Sequence, residues 1–194
     1  MKLKQLLTAA ALASGFFLHA ETIEIPVLYR NAETMQPPCT LQSFGLAETP
    51  ERIIFAFQIK ELPQFLKQEK ASLSFYSDTD HNLETGRFPK VHGWDFQINV
   101  QLYRNTLHAI RWNGNNAQDL KLNGKYTVVA DKDLLFLMIR KEGLPGIKFE
   151  KQFKFKVTMT AGNRACGGLQ QNEPADKKQT SGVFPNKFQV PEGK

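Results

Sequence analysis

Cysteine is nearly missing: Cys39 and Cys166 are the only 2 in 194 residues, which rules out a cysteine-rich disulfide scaffold or a tetrathiolate metal site. Histidine is also scarce, and His81, His92 and His108 have no spacing that would complete a zinc site with those thiols. Past the amino terminus no apolar run is long enough to cross a bilayer. There is no internal repeat, no nucleophile elbow, no zinc-protease helix and no phosphate-cradling glycine loop. Amphipathic helices are missing too, apart from one short candidate over Leu62 to Lys70 with Pro63 in its first turn. With these signatures gone, the expectation is a domain that binds rather than catalyses.

The first twenty residues have the plan of an export signal. Met1 to Lys4 is basic, Leu6 to Leu18 is apolar but too short to span a membrane, and Ala20 supplies a small residue at the cleavage point. A mature chain beginning at Glu21 loses Lys2 and Lys4, taking the formal charge from +6 to +4. Export predicts a secreted or periplasmic location, where Cys39 and Cys166 are available to pair. By loop entropy such a bridge would contribute about 4 to 5 kcal/mol; two free thiols are the alternative. Residues 21–166 suffice for one core, and the stretch from Gly167 to Lys194 is polar enough to be expected as a mobile tail in which Val183-Phe184 or Phe188 to Val190 could dock.

Within 21–166 the dominant period is two, the mark of strands with one buried face. Ile53, Phe55, Phe57 and Ile59 alternate with Arg52, Ile54, Ala56 and Gln58. Leu73 and Phe75 alternate with Ser72, Ser74 and Tyr76, and Phe96, Ile98, Val100 and Leu102 oppose an amide-rich face of Gln97, Asn99 and Gln101. Further strands are expected over Leu107 to Trp112, Tyr126 to Val129, Leu134 to Arg140 and Phe149 to Thr160, separated by Asn113-Gly114, Asn123-Gly124 and Pro145-Gly146 turn signals. Short strands at this spacing predict an all-β fold, an antiparallel β-sandwich with little helix.

One stretch carries more chemistry than folding requires. Asp78, Asp80 and Asn82 place short oxygen-bearing side chains at alternate positions, and Asp95 follows downstream. Calcium takes six to eight oxygen ligands in flexible geometry, so this set predicts a calcium site. It is not an EF-hand, because Leu83 stands where the turn glycine belongs and Pro89 where the bidentate glutamate belongs. The competing reading is that Asp, Asn, Thr and Gly here are turn formers bonding their own backbone.

The run from Leu73 through Asp78-Thr-Asp80-His-Asn82-Leu-Glu-Thr-Gly86-Arg87, followed by Gly93-Trp-Asp95-Phe96, resembles the strand, loop and strand of family-9 carbohydrate-binding modules and related secreted domains. Tyr126 to Arg140 is similar to the strand and turn before that family's final core strand. The resemblance spans roughly residues 50 to 160. It implies a jelly-roll-like sandwich, a structural calcium held by Asp78, Asp80, Asn82 and Asp95, and a sugar-binding surface. His81 and Leu83 depart from the family's loop, and its sugar-sandwiching tryptophan pair is not evident.

Only Trp94 and Trp112 can stack on a flat ligand. Trp94 shares the parity of Phe96 and is expected in the core. Trp112, with Asn113 in the loop after it, is the candidate ligand-binding pair, and Tyr103 with the amide face is a second surface. The lysines at 148, 151, 154 and 156 read as a solvating face, so nucleic acid is not an expected partner. The expected function is an exported, non-catalytic module binding a polysaccharide or oligosaccharide. The alternative is an envelope domain whose partner is another protein.

Overall fold

The computed structural model describes residues 22–23, 25, 27–30, 40–87, 92–149, 152–162, 164–176 and 188–189. The expected signal segment and Cys39 lie outside the described residues, whereas Cys166 lies on a strand.

The strands in chain order are β1 (Thr22–Ile23), β2 (Val27–Arg30), β3 (Thr40–Glu48), β4 (Arg52–Lys60), β5 (Ser72–Asp78), β6 (Phe96–Gln101), β7 (Thr106–Asn113), β8 (Asn116–Leu120), β9 (Tyr126–Asp131), β10 (Leu134–Arg140), β11 (Gln152–Ala161), β12 (Arg164–Asp176) and β13 (Phe188–Gln189). The expected helix is real but short: α1 covers Leu62–Leu66, with Pro63 in its first turn and Leu62 and Phe65 buried. Among the described residues no helix is long and apolar enough to cross a membrane.

Every strand pair is antiparallel. One sheet has the order β2-β3-β4-β10-β9, the other β12-β11-β5-β6-β7-β8, and β1 pairs with β13 separately. The chain passes from the first sheet to the second after β4, returns after β8 and crosses again after β10, giving an all-β antiparallel sandwich.

Phenylalanine fills the space between the sheets. Phe44 on β3 meets Phe155 on β11 at 4.7 Å between ring centroids and Phe75 on β5 at 5.3 Å, and Phe55 on β4 meets Phe75 edge-on at 5.2 Å. Phe149, just before β11, adds edge-to-face contacts with Phe55, Phe96 and Phe153. These tilted and T-shaped pairs are the arrangements aromatic rings prefer, and each adds about 0.5–1.5 kcal/mol beyond the area it buries.

Two features depart from the alternation read in the sequence. The face of β4 opposite the main core is also buried, because Ile54 and Ala56 join Ile25, Phe136 and Met138 in a second apolar cluster outside the five-stranded sheet. Both β4 and its neighbour β10 are nearly continuous apolar runs, as strands covered on both sides should be. The second feature is β12, which pairs with β11 and continues past the expected boundary at Cys166 to Asp176. It is an edge strand, where polar residues and Pro174 cost little because one side makes no ladder bonds.

Phe75 touches rings from both sheets and is fully buried. Phe75→Ala is expected to lower unfolding free energy by about 3–5 kcal/mol with an unchanged urea slope. A loss below about 1 kcal/mol would show that the ring stack does not hold the sheets together.

Candidate functional site

β5 ends at Asp78, where the chain leaves the sheet and returns as β6 at Phe96. Asp78 has the parity of Ser74 and Tyr76 and stands across from Lys154 of β11, whose Nζ lies 4.0 Å from Oδ2. Its side chain is fully buried, and neither carboxylate oxygen has a hydrogen-bond partner among the described residues; nor does the hydroxyl of Ser77. Burial pushes the Asp78 carboxyl above its ordinary value and the charge of Asp80 adds to this, while Lys154 and His81 pull it down.

Asp95 closes the root of the excursion. Its Oδ1 accepts the Thr79 backbone N–H at 2.9 Å and its Oδ2 accepts the Thr79 hydroxyl at 2.5 Å. Its backbone is held as well, with its N–H donating to Ser77 O and its carbonyl accepting from Trp112 N. Burial raises the Asp95 carboxyl, the Thr79 bonds oppose this, and the charges of Asp80 and Asp78 reinforce it.

Asp80 and Asn82 are occupied differently. Asp80 Oδ1 accepts the Asn82 N–H at 3.0 Å, the Thr85 hydroxyl reaches both Asp80 oxygens, and Asn82 Oδ1 accepts the Glu84 N–H at 3.0 Å. These are side-chain-to-backbone turns of the kind expected of turn formers. Among the described residues, no three His, Cys, Asp or Glu side chains converge into a group that could hold a metal ion. The four residues expected to bind calcium thus gather at one loop without forming a finished shell. Among the described residues Asp78 presents two buried oxygens without a well-formed hydrogen bond, the backbone of His81 and the ammonium of Lys154 being the groups that favour its charge.

Beyond its root the loop folds back over the outer face of the six-stranded sheet. Arg87 and Trp94 pair as an antiparallel bridge, with N···O distances of 2.6 and 3.2 Å. This crossing needs glycine at two points. Gly86 has φ +72°, and a Cβ there would collide with the Trp94 carbonyl; Gly93 has φ +63°, and a Cβ would sit 2.8 Å from Asn82 O.

The fold-back creates a cleft of about 420 Å³. Arg87, His92 and Trp94 line it from the loop, Ser74 and Tyr76 from β5, and Lys156, Thr158 and Thr160 from β11. Trp94 is buried as expected, yet it lies outside both core clusters and stacks on His92, with centroids 5.4 Å apart and planes at 24°. Trp112 lies under the Arg87 guanidinium, 4.7 Å from ring centroid to Cζ. Its indole N–H donates to Gln97 Oε1 at 3.2 Å, and the Gln97 amide donates to the Tyr76 hydroxyl at 3.3 Å.

The residues expected to bind a ligand are therefore separated from the cleft wall. Trp112 supports Arg87 from beneath, and Asn113 is exposed at the β7–β8 turn; neither lines the cleft. Of the second expected surface, Gln97 and Asn99 form the bonded floor beside the cleft, while Tyr103 is exposed and donates to Gln101. Tyr76, Arg87, His92, Trp94 and Lys156 escaped the sequence reading because the loop's return over the sheet is a tertiary event. The paired signals Gly86-Arg87 and Gly93-Trp94 were its local trace.

Raised carboxyls make the folded chain hold protons where the unfolded chain has released them, so stability falls as pH rises through the raised folded values of Asp78 and Asp95. In chelator, Asp78→Asn is expected to flatten this slope and raise Tm at pH 7. A lower Tm for the variant under those conditions would show that ionised Asp78 is stabilised where it lies.

Compared with known proteins, the sequence matches no family model and no curated protein.

Proposed function

We propose that this protein is an exported, non-catalytic binding module and that a saccharide occupies the cleft between the folded-back loop and the outer sheet face. The observation that carries this reading is the composition of the cleft. Tyr76 offers aromatic surface, with the buried Trp94 behind the wall, Ser74, Thr158 and Thr160 offer hydroxyls, and Arg87 and Lys156 offer charged donors. A sugar has an apolar C–H face and a rim of hydroxyls, and a mixed wall of this kind meets both. The floor is held in place before any ligand arrives, because Gln97 ties Tyr76 to Trp112 and Asn99 donates to Ser74 at 2.8 Å. Preorganisation of this kind lowers the ordering cost of binding.

The calcium reading belongs to the same proposal and rests on Asp78. An ionised carboxylate with so few donors is costly to bury, and a divalent cation at the loop root would relieve that cost together with the mutual repulsion of Asp78, Asp80 and Asp95. Its role would be to stiffen the loop that roofs the cleft.

Titration against a panel of oligosaccharides is expected to find a bound member, with Tyr76→Ala weakening it by about tenfold or more. Trp112→Ala should weaken it less, through slackening of Arg87. Calcium in excess is expected to raise Tm relative to chelator, and Asp78→Asn to remove that rise. A panel in which no saccharide binds, together with co-purification of a defined envelope protein, would replace this reading with that of a protein-interaction domain. An unchanged Tm would reduce the acidic loop to a turn.

A further inference from the structure

We propose, building on the saccharide reading, that the cleft selects an acidic saccharide, one whose sugar carries a carboxylate or sulfate group, and that Arg87 and Lys156 receive the anion. Both cations line the cleft, Arg87 on the loop and Lys156 on β11. His92 lines the same space, and no Asp or Glu among the described residues does. Of the carboxylates at the loop root, Asp95 is bonded by Thr79, Asp80 by Thr85 and Asn82, and Asp78 is buried beside Lys154. Across the β11–β12 ladder the positions opposite Lys156, Thr158 and Thr160 are Gln170, Gly168 and Ala165, none of them acidic.

Alternate lysines can solvate the outer face of a sheet, but they do not protect an edge here, because β11 lies inside the sheet with β12 on one side and β5 on the other. Lys154 is accounted for by Asp78, directly across from it. Lys156, directly across from Tyr76, is accounted for by the cleft.

Arg87 is suited to the role by its support. Its guanidinium lies over the Trp112 ring, and that ring is fixed by the bond to Gln97, so the planar fork is oriented before binding. An oriented guanidinium can hold a carboxylate or sulfate by two parallel N–H···O bonds, which an ammonium cannot.

The test is titration calorimetry of the chain with three oligosaccharides of matched length: neutral, uronic-acid-bearing and sulfated. One acidic form is expected to bind at least about tenfold more tightly than the neutral one, with an advantage that shrinks as salt rises. Which acidic form wins distinguishes carboxylate from sulfate. Lys156→Gln should erase most of that advantage, lowering affinity for the acidic form far more than for the neutral one, and Arg87→Lys should reduce it despite keeping the charge. Far-ultraviolet circular dichroism and Tm of each variant, unchanged from the parent, establish that the fold is retained. Equal affinity for neutral and acidic forms would overturn the charge selection while leaving saccharide binding in place. Binding of none of the three would overturn both.

Discussion

The grip of the Asp95 carboxylate on Thr79 is the interaction on which the functional face depends. Its two oxygens take the backbone N–H and the hydroxyl of the residue that leaves β5, so the chain's exit from one strand is tied to its entry into the next. A carboxylate accepting two donors is a strong and directional clasp. Everything beyond it, the bridge between Arg87 and Trp94 and the residues that roof the cleft, is carried on an excursion that this clasp closes. Buried charge at the clasp is the cost, visible in the raised carboxyls of Asp78 and Asp95.

The sheet under the loop works as a floor because its register places polar partners opposite one another. Tyr76 faces Gln97 and Ser74 faces Asn99 across β5 and β6, and Ser72 faces Thr160 across β5 and β11. Each of these cross-strand pairs is hydrogen-bonded. Such pairs are the unit of sheet stabilisation, and here they also hold a polar surface in one arrangement. The opposite face of the same strands is phenylalanine and aliphatic core, so the floor cannot shift without disturbing the packing between the sheets.

The sandwich was legible because alternation of large apolar residues with polar ones is a direct image of a half-buried strand, as in Phe96, Ile98 and Val100 against Gln97 and Asn99. The β8 strand, Asn116–Leu120, left no such image, since it is an edge strand exposed along most of its length. The β12 strand was hidden for a related reason, its polar sequence being acceptable only at a sheet edge. The acidic loop was legible as a cluster of oxygen-bearing side chains, of which Asp80 and Asn82 bond as turn formers while Asp78 is buried at the root of the loop. The cleft was not legible, because Arg87 and Trp94 meet Tyr76 and Lys156 only through a fold-back governed by two glycines. Parity assigned Trp94 to the core, but Asp95 interrupts the strand before Trp94 is reached.

Amide hydrogen exchange in the parent chain and in Asp95→Ala tests the role of the clasp most directly. Loss of the carboxylate is expected to speed exchange at Arg87 and Trp94, whose N–H groups bond across the loop, while Phe75 in β5 keeps its protection. Unchanged protection at Arg87 and Trp94 in a folded Asp95→Ala chain would contradict it.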